Sequence, residues 1–157
     1  MLDNRGVTFG QFIGLRNEAE GILREFGARA GIVRRLSLSV SRTCPGACVD
    51  FGIVKDEAYV FIPENKLLGP RVDLEWRLAH EIGHVAAGHV PRWKEATSEQ
   101  REQYQDEANA YALRLMGEAR YREHLASVPK LHPDLAEMEI ERLREILVQL
   151  PSTAANH

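Results

Sequence analysis

Leu78-Ala79-His80-Glu81-Ile82-Gly83-His84-Val85-Ala86-Ala87-Gly88-His89 contains H-E-x-x-H, two histidines one helical turn apart with a glutamate directly after the first. At ~100° of rotation per residue, an i, i+4 pair shares one helix face with an offset of about 40°. The imidazoles of His80 and His84 can therefore converge on a single ion, and zinc is the divalent metal expected for so nitrogen-rich a site. Glu81 is swung to the side of that ion, within reach of a metal-bound water. Leu78, Ala79, Ile82, Val85 and Ala86 make the other turns apolar, which reads as a buried helix carrying a polar cluster. Two ordinary core histidines could match the spacing by coincidence. Burying His, Glu and His together is costly without a partner, however, and a metal supplies one.

H-E-x-x-H gives two ligands, and a catalytic zinc needs a third from the protein with one position open to water. Three candidates stand in the sequence. Gly88 and His89 follow the second histidine at four and five residues, whereas the metzincin pattern has its glycine and histidine at about three and six. Cys44 and Cys48 lie upstream in C-P-G-A-C, an order seen in peptide deformylases, but the E-G-C-L-S motif of those enzymes is absent. Glu107, in D-E-A-N-A-Y-A, sits on what reads as the following long helix. A glutamate from a second helix is the gluzincin arrangement, a His2Glu zinc, and Glu107 is the favoured third ligand.

The 157 residues suit one domain, expected over residues 1–151 with 152–157 as a disordered tail. A net charge of −3 argues against a broad nucleic-acid or anionic-membrane surface. No apolar run approaches the ~20 residues of a membrane-spanning helix. The first residues interleave Asp3, Asn4, Arg5 and Gln11 with apolar side chains, unlike a signal peptide. With two cysteines only, the cytoplasm is the expected compartment.

Phe9, Phe12, Ile13, Leu15, Ala19, Ile22, Leu23 and Phe26 recur mostly at three- and four-residue spacing, predicting an amphipathic helix over 8–30 with Thr8 as its cap. Alternation over 35–40 predicts a half-buried strand. The segments 49–54 and 58–62 flank Lys55-Asp56-Glu57 and read as a β-hairpin. The C-x3-C of Cys44 and Cys48 reads as two ordinary thiols beside a turn. Asp73 is the expected N-cap of the motif helix, Gly88 its end, and Pro91 a bar to continuation. Thr97-Ser98-Glu99 opens the next helix, with Ala108, Tyr111, Ala112 and Leu115 on one side. Tyr104 and Tyr111 each lie about one turn from Glu107 and could face the site, although tyrosines there more often pack. His124 and His132 read as exposed loop residues near Pro129 and Pro133. A last helix from Pro133-Asp134 carries Leu135, Met138, Leu143, Ile146, Leu147 and Leu150 as its apolar stripe.

Trp76-Arg-Leu-Ala-His-Glu-Ile-Gly-His-Val-Ala-Ala-Gly-His89, preceded by D-F-G and followed by E-A-N-A-Y-A-L-R-L-M, resembles the ImmA/IrrE-type metallopeptidases. Members typically show A-H-E-L-G-H with a trailing G-H, then E-A-N-x-F-A-x-x-L-L-M-P. The likeness covers residues 49–116, while the first and last helices match only in kind. Met116-Gly117 stands where the family often has Met-Pro, a departure that bears on the wall of the substrate cleft.

The resemblance implies an α+β, zincin-like fold: an N-terminal helix, a small mainly antiparallel sheet, then a mostly helical half carrying H-E-x-x-H and the third-ligand helix. It implies one zinc per chain, replaceable by manganese in vitro, held by His80, His84 and Glu107, with Glu81 as general base. The implied partner and substrate is a helix-turn-helix transcriptional repressor, with no direct contact to nucleic acid or membrane. Tyr111 fills an aromatic position that is usually Phe, so its hydroxyl is not required. Tyr104 is a candidate for stabilising the oxyanion. By analogy with other zincins, the strand over 58–62 is the expected cleft edge, where an extended substrate adds as a strand. Two rival classes stand beside this one: a metal-bound module that binds a repressor without cutting it, and a deformylase or amidase acting on a small substrate.

Overall fold

Thr8 accepts a hydrogen bond from the Gln11 N–H while the Gln11 side chain accepts from the Thr8 N–H, and this reciprocal box starts α1 (Phe9–Arg29) where the sequence predicts it. The structure, a computed structural model, describes residues 6–41, 48–51, 57–131, 133–134 and 137–149. The expected tail over 152–157 and His132 lie outside the described residues. The fold is α+β and mostly helical.

After α1 come three strands, β1 (Arg35–Ser41), β2 (Cys48–Phe51) and β3 (Glu57–Pro63), in the sheet order β1-β3-β2. The β2–β3 pair is antiparallel, as expected of a hairpin, with its connection outside the described residues. The longer pairing, β1 with β3, is parallel. This corrects the expectation of a mainly antiparallel sheet. Alternation specifies which face of a strand is buried, not the direction of its neighbour. The same topology overturns the placing of 58–62 at the cleft edge, because β3 is the central strand and has both sides paired. Leu38, Ala58, Val60 and Ile62 are buried and belong to the core with Leu23 and Phe26 of α1. Each of the larger ones contributes on the order of 1.5–3 kcal/mol by leaving water.

A short α2 (Glu64–Leu67) leads to α3 (Arg71–Ala86), the motif helix. Its N-cap is Pro70, not Asp73. Asp73 lies within the first turn instead, buried, where its carboxylate accepts from Arg77 Nε at 3.4 Å and faces Lys66 Nζ at 3.7 Å. The helix ends as predicted at Gly88, whose φ of +72° is left-handed. The Gly88 N–H donates to the Val85 carbonyl at 3.1 Å and the His89 N–H to the His84 carbonyl at 3.0 Å, the paired bonds of a Schellman ending. That reversal folds His89 back onto the helix it has just left.

A 3-10 turn (Val90–Arg92) connects to α4 (Ser98–Met116), which Thr97 and Gln100 open with a second capping box. α4 packs along α3 more extensively than any other pair of elements. α5 (Glu118–Leu131) and α6 (Glu137–Val148) close the far side, tied together by the Tyr121 hydroxyl donating to the Leu143 carbonyl at 3.0 Å. α6 starts at Glu137 rather than Pro133-Asp134, which form a turn. Leu143, Ile146 and Leu147 are buried, whereas Met138 is exposed. His124 is no loop residue: it lies in α5, 2% exposed, because the helix runs on past Pro129. No helix among the described residues is long and apolar enough to cross a membrane.

Candidate metal centre

His80 and His84 project from α3 on one face, and their Nε2 atoms stand 3.1 Å apart. Both side chains are buried, as is that of Glu81. Gly83, between them, lets α4 come close: a Cβ there would lie 2.9 Å from the Ala108 Cα. Gln105 and Asn109, one turn apart on α4, meet the histidines across this contact. His80 Nδ1 stands 2.8 Å from Asn109 Oδ1 and Nε2 2.7 Å from Gln105 Oε1; a neutral ring donates through one nitrogen only, so one of the two contacts sets a lone pair against an oxygen. Gln105 Oε1 also lies 3.3 Å from His84 Nε2. Two acceptors at this separation repel unless a cation or a proton lies between them. The three atoms are close enough together to share one cation at the ~2.0–2.2 Å reach of a zinc ligand. Two imidazole nitrogens and one amide oxygen are thus gathered at a single point between α3 and α4.

Glu107 is not brought to this triangle. It lies two residues from Gln105, roughly 200° around the helix, and its carboxylate accepts from His89 Nε2–H at 2.7 Å. His89, only 1% exposed, in turn stands with Nδ1 at 3.0 Å from His84 Nδ1. Among the described residues, no group of three or more His, Cys, Asp and Glu is placed to hold a metal ion. Of the cysteines, Cys44 lies outside the described residues and only the backbone of Cys48 is described. Gln105 and Asn109 escaped the sequence reading. Their signal was there in the i, i+4 spacing on the α4 face that also carries Ala108 and Ala112.

Burial sets the charges of the cluster. It holds the His80 imidazole down to about 4, against hydrogen bonds to Asn109 and Gln105 that favour the proton. It holds His84 down to about 3, with His80 and His89 nearby acting in the same sense. It pushes the Glu81 carboxyl up to about 8, with Arg77 pulling the other way. The imidazoles are therefore neutral at neutral pH, as ligand nitrogens must be. Tyr104 stacks on His89 with ring centres 4.2 Å apart, and the Tyr111 Cβ packs at Gly83, so both tyrosines support the site by packing. Trp76 is sandwiched between His80 and His124, at 4.9 and 4.6 Å. These rings line a cleft of about 280 Å³ that His80, Gln105, Arg77 and Arg142 also wall. No family model, curated protein or solved structure matches this chain.

Proposed function

We propose that this chain is a zinc-dependent endopeptidase of the ImmA/IrrE type, cutting a helix-turn-helix repressor, with its zinc held by His80, His84 and Gln105. The observation that carries the reading is the approach of His80 Nε2, His84 Nε2 and Gln105 Oε1 to within 3.3 Å of one another. A zinc bound there would polarise a peptide carbonyl and acidify a water. Glu81, next in sequence to His80 and buried with it, would be the proton acceptor. Its buried carboxyl, raised to about 8, is close to the range in which a general base works at neutral pH. Asn109 orients the His80 ring through Nδ1, and the stacked Trp76 keeps water from its face. The cleft beside His80 and Gln105 would take a substrate side chain. With β3 central, the outer edge of β2 is the backbone edge beside α3 and the 3-10 turn on which an extended segment could pair.

The test is twofold. Purified protein should carry about one zinc per chain, and His80→Ala and His84→Ala should each release most of it. Glu81→Gln should keep the zinc but no longer cut a co-encoded repressor into discrete fragments, while the parent leaves casein nearly untouched. A Glu81→Gln variant that cuts as fast as the parent would remove Glu81 from the role of base.

One observation favours a second reading, the non-cleaving module. The third donor is a neutral amide, so no ligand carries a negative charge to balance the ion. Under that reading parent and Glu81→Gln bind the repressor alike, and neither cuts it.

A further inference from the structure

Trp76 is held face to face between two imidazoles, and one of them belongs to the centre. Its indole stacks on His124 with ring centres 4.6 Å apart and planes 8° from parallel, and on His80 at 4.9 Å and 29°. Asp73, Trp76 and His80 follow one another along a single face of α3, whereas His124 comes from α5. His124 is 2% exposed, and its Nδ1 lies 3.8 Å from Oδ1 of Asp73, itself 2% exposed. The α5 ring is thus seated against the buried start of α3, with the indole on its outer side. The edges of the His80 ring are met from α4, by Asn109 Oδ1 at 2.8 Å and Gln105 Oε1 at 2.7 Å. Trp76 covers one of its faces.

We propose that His124 is a positioning residue that acts on His80 through Trp76: it pins the indole, and the pinned indole fixes the tilt of the His80 ring. Contacts at the two ring nitrogens constrain His80 within its own plane. A flat neighbour against its face is what stops the ring from tipping out of that plane. An indole stacked on one side only could swing toward the cleft of about 280 Å³, whose wall it shares with His80 and His124. His124 closes that route by covering the second face. Either tautomer of an imidazole makes such a contact, so the device does not depend on where the ring protons sit. A ligand set has to be held to within about 0.5 Å of its working geometry. Losing one aromatic pair is worth roughly 2–10-fold in an equilibrium constant.

The consequence for zinc rests on the metal-centre reading; the ring contacts do not. Proton NOE spectra of the metal-free full chain should place the Trp76 indole protons close to ring protons of both His80 and His124. His124→Leu fills the space without offering a flat face. It should lose the Trp76–His80 contacts, although the two histidines stack on opposite faces of the indole and not on each other. His124→Phe restores a flat ring and should retain them. Zinc affinity, read by titration against a competing chelator, should fall roughly 2–10-fold in His124→Leu and stay near the parental value in His124→Phe. Parental spectra overturn the proposal if the indole is close to only one of the two rings. Intact Trp76–His80 contacts in His124→Leu overturn it, as does a His124→Phe protein that lacks them. A His124→Leu protein that binds zinc as tightly as a zinc-binding parent overturns it too. If the parent binds no zinc at all, the metal reading fails while the ring contacts still decide whether His124 fixes His80.

Discussion

Position 105 holds an amide where a carboxylate would give a bound cation a negative partner, and its oxygen already stands 2.7 Å from His80 Nε2 and 3.3 Å from His84 Nε2. Gln105→Glu keeps the side-chain length and adds a charge at that point. We expect it to raise zinc affinity at least about tenfold, because ligand charge is a main lever on the affinity of such sites. On the proposed ligand set, Gln105→Ala should weaken binding more than Glu107→Ala does, since Glu107 meets His89 rather than the two motif histidines. Competition titrations of the three variants check the order, and an unchanged affinity in Gln105→Glu would remove residue 105 from the ligand set. The sequence makes the first half of the centre legible because His80 and His84 are local: four residues on one helix fix their relation. Which α4 side chain meets them depends on how α4 is rotated against α3. Glu107 is chosen from sequence for its acid type; in the structure α4 turns Gln105 and Asn109, an i, i+4 pair, toward the histidines and Glu107 toward His89.

The two helices meet so closely only because residue 83 lacks a side chain. A Cβ added at Gly83 would lie 2.8 Å from the Tyr111 Cβ, 2.9 Å from the Ala108 Cα and 3.0 Å from the Ala108 carbonyl oxygen. Two of these are backbone atoms of α4, so the helix itself must retreat. Gly83→Ala should therefore cost about 1–3 kcal/mol as an overpacked contact, or several degrees of Tm, and should draw Gln105 away from His80 with loss of zinc. Gly21, in α1, has nothing within 4 Å of such a Cβ, and Gly21→Ala should instead stabilise by roughly 0.4–1 kcal/mol. Thermal melts with zinc content for both variants check this, and a Gly83→Ala protein as stable and as zinc-loaded as the parent would contradict it. Element starts and ends were readable wherever a cap is local, at Thr8, Thr97 and Gly88. The parallel run of β1 beside β3 was not, since it is set by a pairing between distant segments. His124 was misplaced for a related reason: Pro129 reads as a break, yet here α5 continues to Leu131 and its packing buries the ring against Trp76.

The whole molecule carries an electrostatic cost for its centre, and that cost has a direction in pH. His80 and His84 are held down to about 4 and about 3 from an ordinary 6.5, so between these values the unfolded chain binds more protons than the folded one. On their account stability falls as pH drops below 6.5 and is fully present above it. Glu81 is raised to about 8 from an ordinary 4.5, so the folded chain holds the extra proton over that interval. On its account stability is fully present below 4.5 and is lost as pH rises through 8. Below 6.5 the two histidines outweigh the single glutamate, and above 6.5 the glutamate acts alone among the three. Their combined contribution to the metal-free protein therefore peaks near pH 6.5 and declines toward pH 8. On the proposed zinc reading, added zinc would bind the folded state in competition with protons, and it should lift the alkaline side most and move the optimum upward. Denaturation midpoints across pH 5–9, with chelator and with zinc, test this, and Glu81→Gln isolates the acid's share by flattening the alkaline decline. A metal-free parent no less stable at pH 8 than at 6.5, relative to Glu81→Gln, would mean that the carboxyl is not held neutral in the core.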